Sequence, residues 1–172
     1  KQIAINCSNG SKSIKFNLLI YIPNDAGGPV PAVLGLNFYG NHSITTDSNV
    51  IISEAWARNS KTLSISEHHL TEASRGLRAH RWAVDQIIDG GFGLATIYYG
   101  EVDPDKHDFN DGLHHLFYEQ GQEKPKNNQW GSLSAWAFAY SRALDYLEHD
   151  SDVDAERVVV FGHSRLGKTA LW

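Results

Sequence analysis

The chain has 172 residues, of which 41% are hydrophobic and 20% charged, which suits one globular domain with a sizeable core. A formal net charge of −5 and scattered basic residues argue against nucleic acid as a partner, and no apolar run approaches membrane-spanning length. Cys7 is the single cysteine, so no internal disulfide is possible; the start at Lys1 rather than Met suggests that processing or truncation has removed the native start.

Lys1 to Cys7 reads as a weak strand. Ile14 to Ile22 is stronger, with Ile14, Phe16, Leu18, Ile20 and Ile22 on one face and Lys15 and Asn17 on the other, as in a half-solvated antiparallel strand near a sheet edge. Pro23 and the Asn24–Pro29 stretch end it, and Ala32 to Asn37 predicts a short buried strand. Phe38 to about Ser74 is polar and poorly periodic, much longer than an ordinary connection; Gly40 or Asn41 at its start could offer an oxyanion N–H, although a turn that needs glycine explains Gly40 as well. Leu77 to Ile88 predicts one helix, with Leu77, Val84, Ile87 and Ile88 near one face and Gly90-Gly91 as its stop. Phe92 to Tyr98 is another buried strand, and helix–strand alternation points to parallel sheet construction.

Tyr99 to Gln129 is a second long loop. Its His107, His114 and His115 stand beside Asp103, Asp105, Asp108 and Asp111, but the spacing fits neither a zinc nor a calcium signature, so a solvated acidic loop is expected. Phe109, Phe117 and Tyr118 suit either a sugar-binding rim or packing beneath the loop. Leu133 to Leu147 is the clearest helix, with Ser132 available as N-cap and Leu133, Trp136, Ala137, Tyr140, Ala143, Leu144 and Leu147 as its apolar stripe. With no linker or repeat, the chain reads as one domain.

The chain closes with Arg157–Trp172, RVVVFGHSRLGKTALW. Val158 to Phe161 is an uninterrupted apolar run that predicts a strand buried on both faces; a tight turn and a helix start follow. Two chemistries compete for the turn. In a nucleophile elbow, Ser164 sits at the apex between Gly162 and Gly167, although this spacing is one residue longer than G-x-S-x-G. In a phosphate-binding loop, Gly162 to Thr169 satisfies G-x-x-x-x-G-K-[ST]. His163, Arg165 and Leu166 make that loop bulky for wrapping an anion, which favours the elbow.

The nucleophile segment GHSRLGKTALW resembles that of the glucuronoyl esterases in their bacterial form. LNFYGNHS at Leu36–Ser43, YYGEVDPD at Tyr98–Asp105 and WGSLSAWAFAYSRALDYL at Trp130–Leu147 carry the resemblance upstream. It implies an α/β-hydrolase-type three-layer sandwich with a mostly parallel central sheet, the first three strands suiting its antiparallel opening. It also implies a serine carboxylic ester hydrolase acting, without metal or organic cofactor, on esters between 4-O-methyl-glucuronate of xylan and lignin alcohols, in a secreted or periplasmic bacterial protein.

Within that resemblance Ser164 is the nucleophile, Arg165 stabilises the oxyanion, and Lys168, one helical turn on, binds hydroxyls of the glucuronate ring. His163 is a poor base for its own neighbour, because adjacent side chains diverge at an elbow. The fold's chain order of Ser, acid, His therefore places the last two beyond Trp172, and residues 1–172 read as the N-terminal part of a catalytic domain whose remainder completes it. An acetylxylan esterase on the same scaffold, a P-loop nucleotide-binding protein and a non-catalytic carbohydrate-binding relative are the rivals.

Overall fold

A tight Gly10-Ser11 turn, with Gly10 at φ 62°, closes a hairpin between β1 (Gln2–Asn9) and β2 (Lys12–Tyr21), paired in register from Gln2↔Leu19 to Asn9↔Lys12. The computed structural model describes residues 1–172. Strands β3 (Val30–Asn37), β4 (Gly93–Tyr98) and β5 (Val153–Phe161) complete a five-stranded sheet of order β1-β2-β4-β3-β5. β4 and β5 both pair in parallel with β3, whereas β2 meets β4 antiparallel. β3 thus belongs to the parallel part of the sheet, not to its antiparallel opening.

Side-chain alternation builds two apolar layers on this sheet. Phe16, Leu18 and Ile20 of β2, Leu34 and Leu36 of β3, and Ala95 and Ile97 of β4 share one core with Trp136, Ala139, Tyr140, Ala143 and Leu147. The last five belong to α4 (Ser132–Leu147). On the other face Leu19 and Leu94 meet Ile44, Val50 and the half-buried Trp82, Val84 and Ile87. Helices on both faces of a mixed sheet make this an α/β-hydrolase-type arrangement.

Four expectations are corrected by the packing. The helix over Leu77 to Ile88 is two pieces, α1 (Ala79–Trp82) and α2 (Val84–Asp89), broken at Ala83, which lies in the left-handed region at φ 45°, ψ 43°. The break lets Trp82 reach Phe161, ring to ring at 5.4 Å, while Val84 and Ile87 cover the sheet; Leu77 stays exposed. Within residues 1–172 β5 lies at the end of the strand order and is not buried on both faces: Val158 and Val160 are half-buried, and Val159 is 60% exposed. Ser132 is the first residue of α4 rather than its cap, a place taken by Gly131 without a side-chain bond.

The fourth correction concerns the acidic loop. After the short α3 (Tyr99–Val102), Asp103 and His114 are buried, with Asp103 Oδ1 2.7 Å from His114 Nδ1. Trp136 Nε1 donates to the Asp103 carbonyl at 2.8 Å, so the loop is tied to α4 rather than solvated there.

The polar stretch after β3 is packed as well, through Ile44, Leu63, Ile65 and Leu70. His42 is fully buried at its start, with Nε2 2.7 Å from Ser74 Oγ, and burial pushes its pKa down to about 4. The folded protein therefore keeps His42 neutral while the unfolded chain takes up a proton near pH 6.5. The His42 contribution to stability should fall as pH drops below 6.5 and level off below about pH 4, a loss of about 3 kcal/mol. Urea denaturation at pH 7.5 and 4.5 checks this; an equal difference in a His42→Gln variant would remove the histidine from the account.

Tyr140 ties α4 to two strands. Its hydroxyl accepts from the Leu36 N–H at 3.1 Å and donates to the Phe161 carbonyl at 2.8 Å, at the ends of β3 and β5. Tyr140→Phe leaves a buried donor and an acceptor without partners, and denaturant unfolding should register a loss of about 2 kcal/mol.

Candidate active site

β5 ends at Phe161, and the chain reverses through Gly162-His163-Ser164 into α5 (Arg165–Leu171). Ser164 holds φ 57°, ψ −126°, which costs a non-glycine residue about 1–3 kcal/mol and is the strained geometry that presents a nucleophile at a strand-to-helix turn. The two flanking glycines make the turn possible. A Cβ on Gly162 would stand 2.2 Å from the Leu166 carbonyl oxygen, and one on Gly167 would stand 3.0 Å from that of Gly162. Although Gly167 comes one residue later than the usual spacing, it packs against Gly162 and serves the same close crossing.

The same geometry disfavours a phosphate cradle. The N–H groups of Gly167 and Lys168 both donate to the Ser164 carbonyl, at 3.0 and 3.2 Å, and that of Leu166 to the His163 carbonyl at 3.1 Å. Donors spent inside the turn are not free to wrap an anion.

Ser164 opens on a cleft of about 520 Å³ formed by the end of β3, Phe38 and Tyr39, α1, Tyr99 and the elbow itself. Four guanidinium groups line it, from Arg58, Arg78, Arg81 and Arg165, with one carboxylate, Asp105. Asp105 gathers three donors: Arg165 Nη1, Arg58 Nη2 at 3.1 Å and the Tyr99 hydroxyl at 3.2 Å. Burial, followed by the Asp105 charge, pushes the Tyr99 phenol up, so it remains a donor. Arg165 is thereby anchored beside Ser164 by one nitrogen, leaving its other N–H groups to face the cleft or water.

Lys168 is not among the residues that line this cleft. It lines a neighbouring hollow of about 580 Å³ with Gly131, Leu133, Trp136 and Trp172, and Arg165 borders both spaces. Gly40 and Asn41 are absent from the cleft wall, and the Asn41 side chain instead donates to the Asn17 carbonyl at 2.9 Å. Phe117 packs at a tilt against Trp130, with ring centroids 5.0 Å apart, and the Phe109 ring centroid lies 5.3 Å from that of His114. Reading the sequence missed Asp105 as the anchor of Arg165, together with Arg58 and Tyr99; the Asp103-Pro104-Asp105 end of the YYGEVDPD segment was the available signal.

A family model described as glucuronyl esterase of fungi matches residues 91–172. The solved structure of a glucuronoyl esterase from Solibacter usitatus is 45% identical, with a TM-score of 0.82, over 92% of this chain and 39% of that one. This chain resembles glucuronoyl esterases over nearly its whole length. A carbohydrate esterase from an unknown prokaryotic organism is 44% identical across 100% of the chain. A structure described as a promiscuous CE15 esterase from the marine bacterial metagenome is 43% identical with a TM-score of 0.86, and covers 100% of this chain and 43% of its own. The chain spans about 40% of the length of the carbohydrate esterase it matches.

No helix is long and apolar enough to cross a membrane. The resemblance to glucuronoyl esterases takes in both the elbow and the segment that carries Asp105.

Proposed function

We propose that this chain supplies the nucleophile-bearing part of a serine ester hydrolase that cleaves 4-O-methyl-glucuronoyl esters between glucuronoxylan and lignin alcohols. The observation that carries the reading is Ser164 at a strained strand-to-helix turn, opening on a cleft that Arg165 lines beside it. The Ser164 hydroxyl attacks the uronate carbonyl, and negative charge grows on the carbonyl oxygen. Arg165 stabilises that oxyanion through fixed, permanently charged donors, while Asp105 holds the guanidinium in place. The intermediate collapses, the alcohol leaves with a proton, and water repeats the attack to release the uronic acid and free serine.

A base must take the serine proton and return it to the alcohol. The imidazole at the cleft wall is that of His163, the chain neighbour of Ser164; adjacent side chains at an elbow point apart, so it is a poor base for that serine. We assign the base and its orienting acid to the part of the catalytic domain that follows Trp172. Lys168 binds ring hydroxyls from its hollow beside Arg165. A polymeric plant substrate places the protein outside the cytoplasm, secreted or periplasmic.

An acetylxylan esterase on the same scaffold is the second reading. It is favoured by one observation, that Lys168 borders a hollow separate from the cleft of Ser164. Hydrolysis of benzyl glucuronate and of acetylated xylan by the full-length protein separates the two. Uronate ester cleavage supports the first reading, cleavage of acetyl groups alone moves the assignment to the second, and activity on neither contradicts both.

A further inference from the structure

Seven arginines occur in the chain, and five of them pair with a carboxylate: Arg58 and Arg165 with Asp105, Arg75 with Glu72, Arg142 with Asp145 and Arg157 with Asp154. Arg78 and Arg81 pair with none within residues 1–172, and both line the cleft of Ser164. Arg78 is half-buried, its guanidinium carbon 4.8 Å above the centre of the Tyr39 ring, and its Nε is buried without a hydrogen-bond partner. A cation held in place by an aromatic face, partly withdrawn from water and without a counter-charge within residues 1–172 is costly to keep. Asp105 does not serve it, because that carboxylate is already shared by Arg58, Arg165 and Tyr99. The surplus positive charge also runs against a chain of net charge −5.

We infer that Arg78 and Arg81 form an anion subsite beside Ser164 that takes a carboxylate. A planar guanidinium presents parallel N–H donors that match the two oxygens of a carboxylate, which a neutral hydroxyl cannot reproduce. The carboxylate has two possible sources: an acidic substituent carried elsewhere on the substrate, or the uronic acid that hydrolysis releases. The inference rests on the proposed reaction only for the choice of ester.

The test uses the full-length protein with Ser164→Ala, so that esters bind without turnover, and reads dissociation constants by titration calorimetry at low salt. One arm compares 4-carboxybenzyl glucuronate with benzyl glucuronate; the other compares free glucuronate with its methyl ester. The anionic member of at least one pair should bind about tenfold tighter, with the advantage shrinking at high salt. A preference in the first arm identifies a substrate carboxylate, and one in the second identifies the released acid. Adding Arg78→Gln and Arg81→Gln together should bring the ratio within the responding pair close to one. Arg81→Gln alone, at an exposed side chain, should lower it even if the double variant folds poorly. No preference in either arm, or one that survives these substitutions, overturns the subsite. Turnover plays no part in the readout, so failure of the hydrolysis assay and failure of the anion preference are separate results.

Discussion

Ser164→Ala in the full-length protein should lower kcat/KM for benzyl glucuronate by about 10⁴-fold or more while leaving stability close to that of the parent. The two halves of this expectation have different causes. Activity falls because no other oxygen in the turn stands where the acyl group would be received. Stability holds because serine and alanine both carry a Cβ, so the strain at φ 57° is the same in both, and Ser164 is exposed. Kinetics paired with urea denaturation check both parts. A variant that keeps its activity would place the nucleophile elsewhere, and one that unfolds would give the serine a structural role.

Arg165→Ala should lower kcat by about 10²–10³-fold with a small change in KM, the expected cost of removing a donor that acts mainly on the transition-state oxyanion. Arg165→Lys should recover only part of the loss, because an ammonium group restores charge but not the fork that binds Asp105 on one side and faces the cleft on the other. Asp105→Asn separates positioning from charge. With Arg58 and Tyr99 still able to donate to the amide oxygen, it should lower kcat less than Arg165→Ala does. A rise in KM at constant kcat in the Arg165 variants would instead make this arginine a ground-state binding group.

The elbow was legible because its signals are local: an apolar strand, glycines on either side of a serine, and a helix start. The same locality explains what was misread. In Val158 to Phe161 every residue is apolar, so no period of two can be read from the run, and within residues 1–172 Val159 is exposed. Nothing about Ala83 marks a left-handed residue; Trp82 packing on Phe161 and Val84 on the sheet impose it from outside the helix. Asp103 and His114 look like solvated loop residues until α4 covers them. Asp105 draws its partners from positions 58, 99 and 165, which only the folded sheet and its loops bring together. Charged pairs between distant segments carry no periodicity, so pattern reading passes over them.

The central claim is that Ser164 is the reactive nucleophile, and covalent capture tests it most directly. The full-length protein would be treated with a fluorophosphonate, followed by intact mass measurement and peptide mapping alongside residual hydrolysis of benzyl glucuronate. The account predicts a single adduct on the peptide containing Gly162-His163-Ser164-Arg165, formed in step with the loss of activity and absent from Ser164→Ala. Loss of activity with the adduct on a different residue, or full labelling of Ser164 with activity intact, would contradict it.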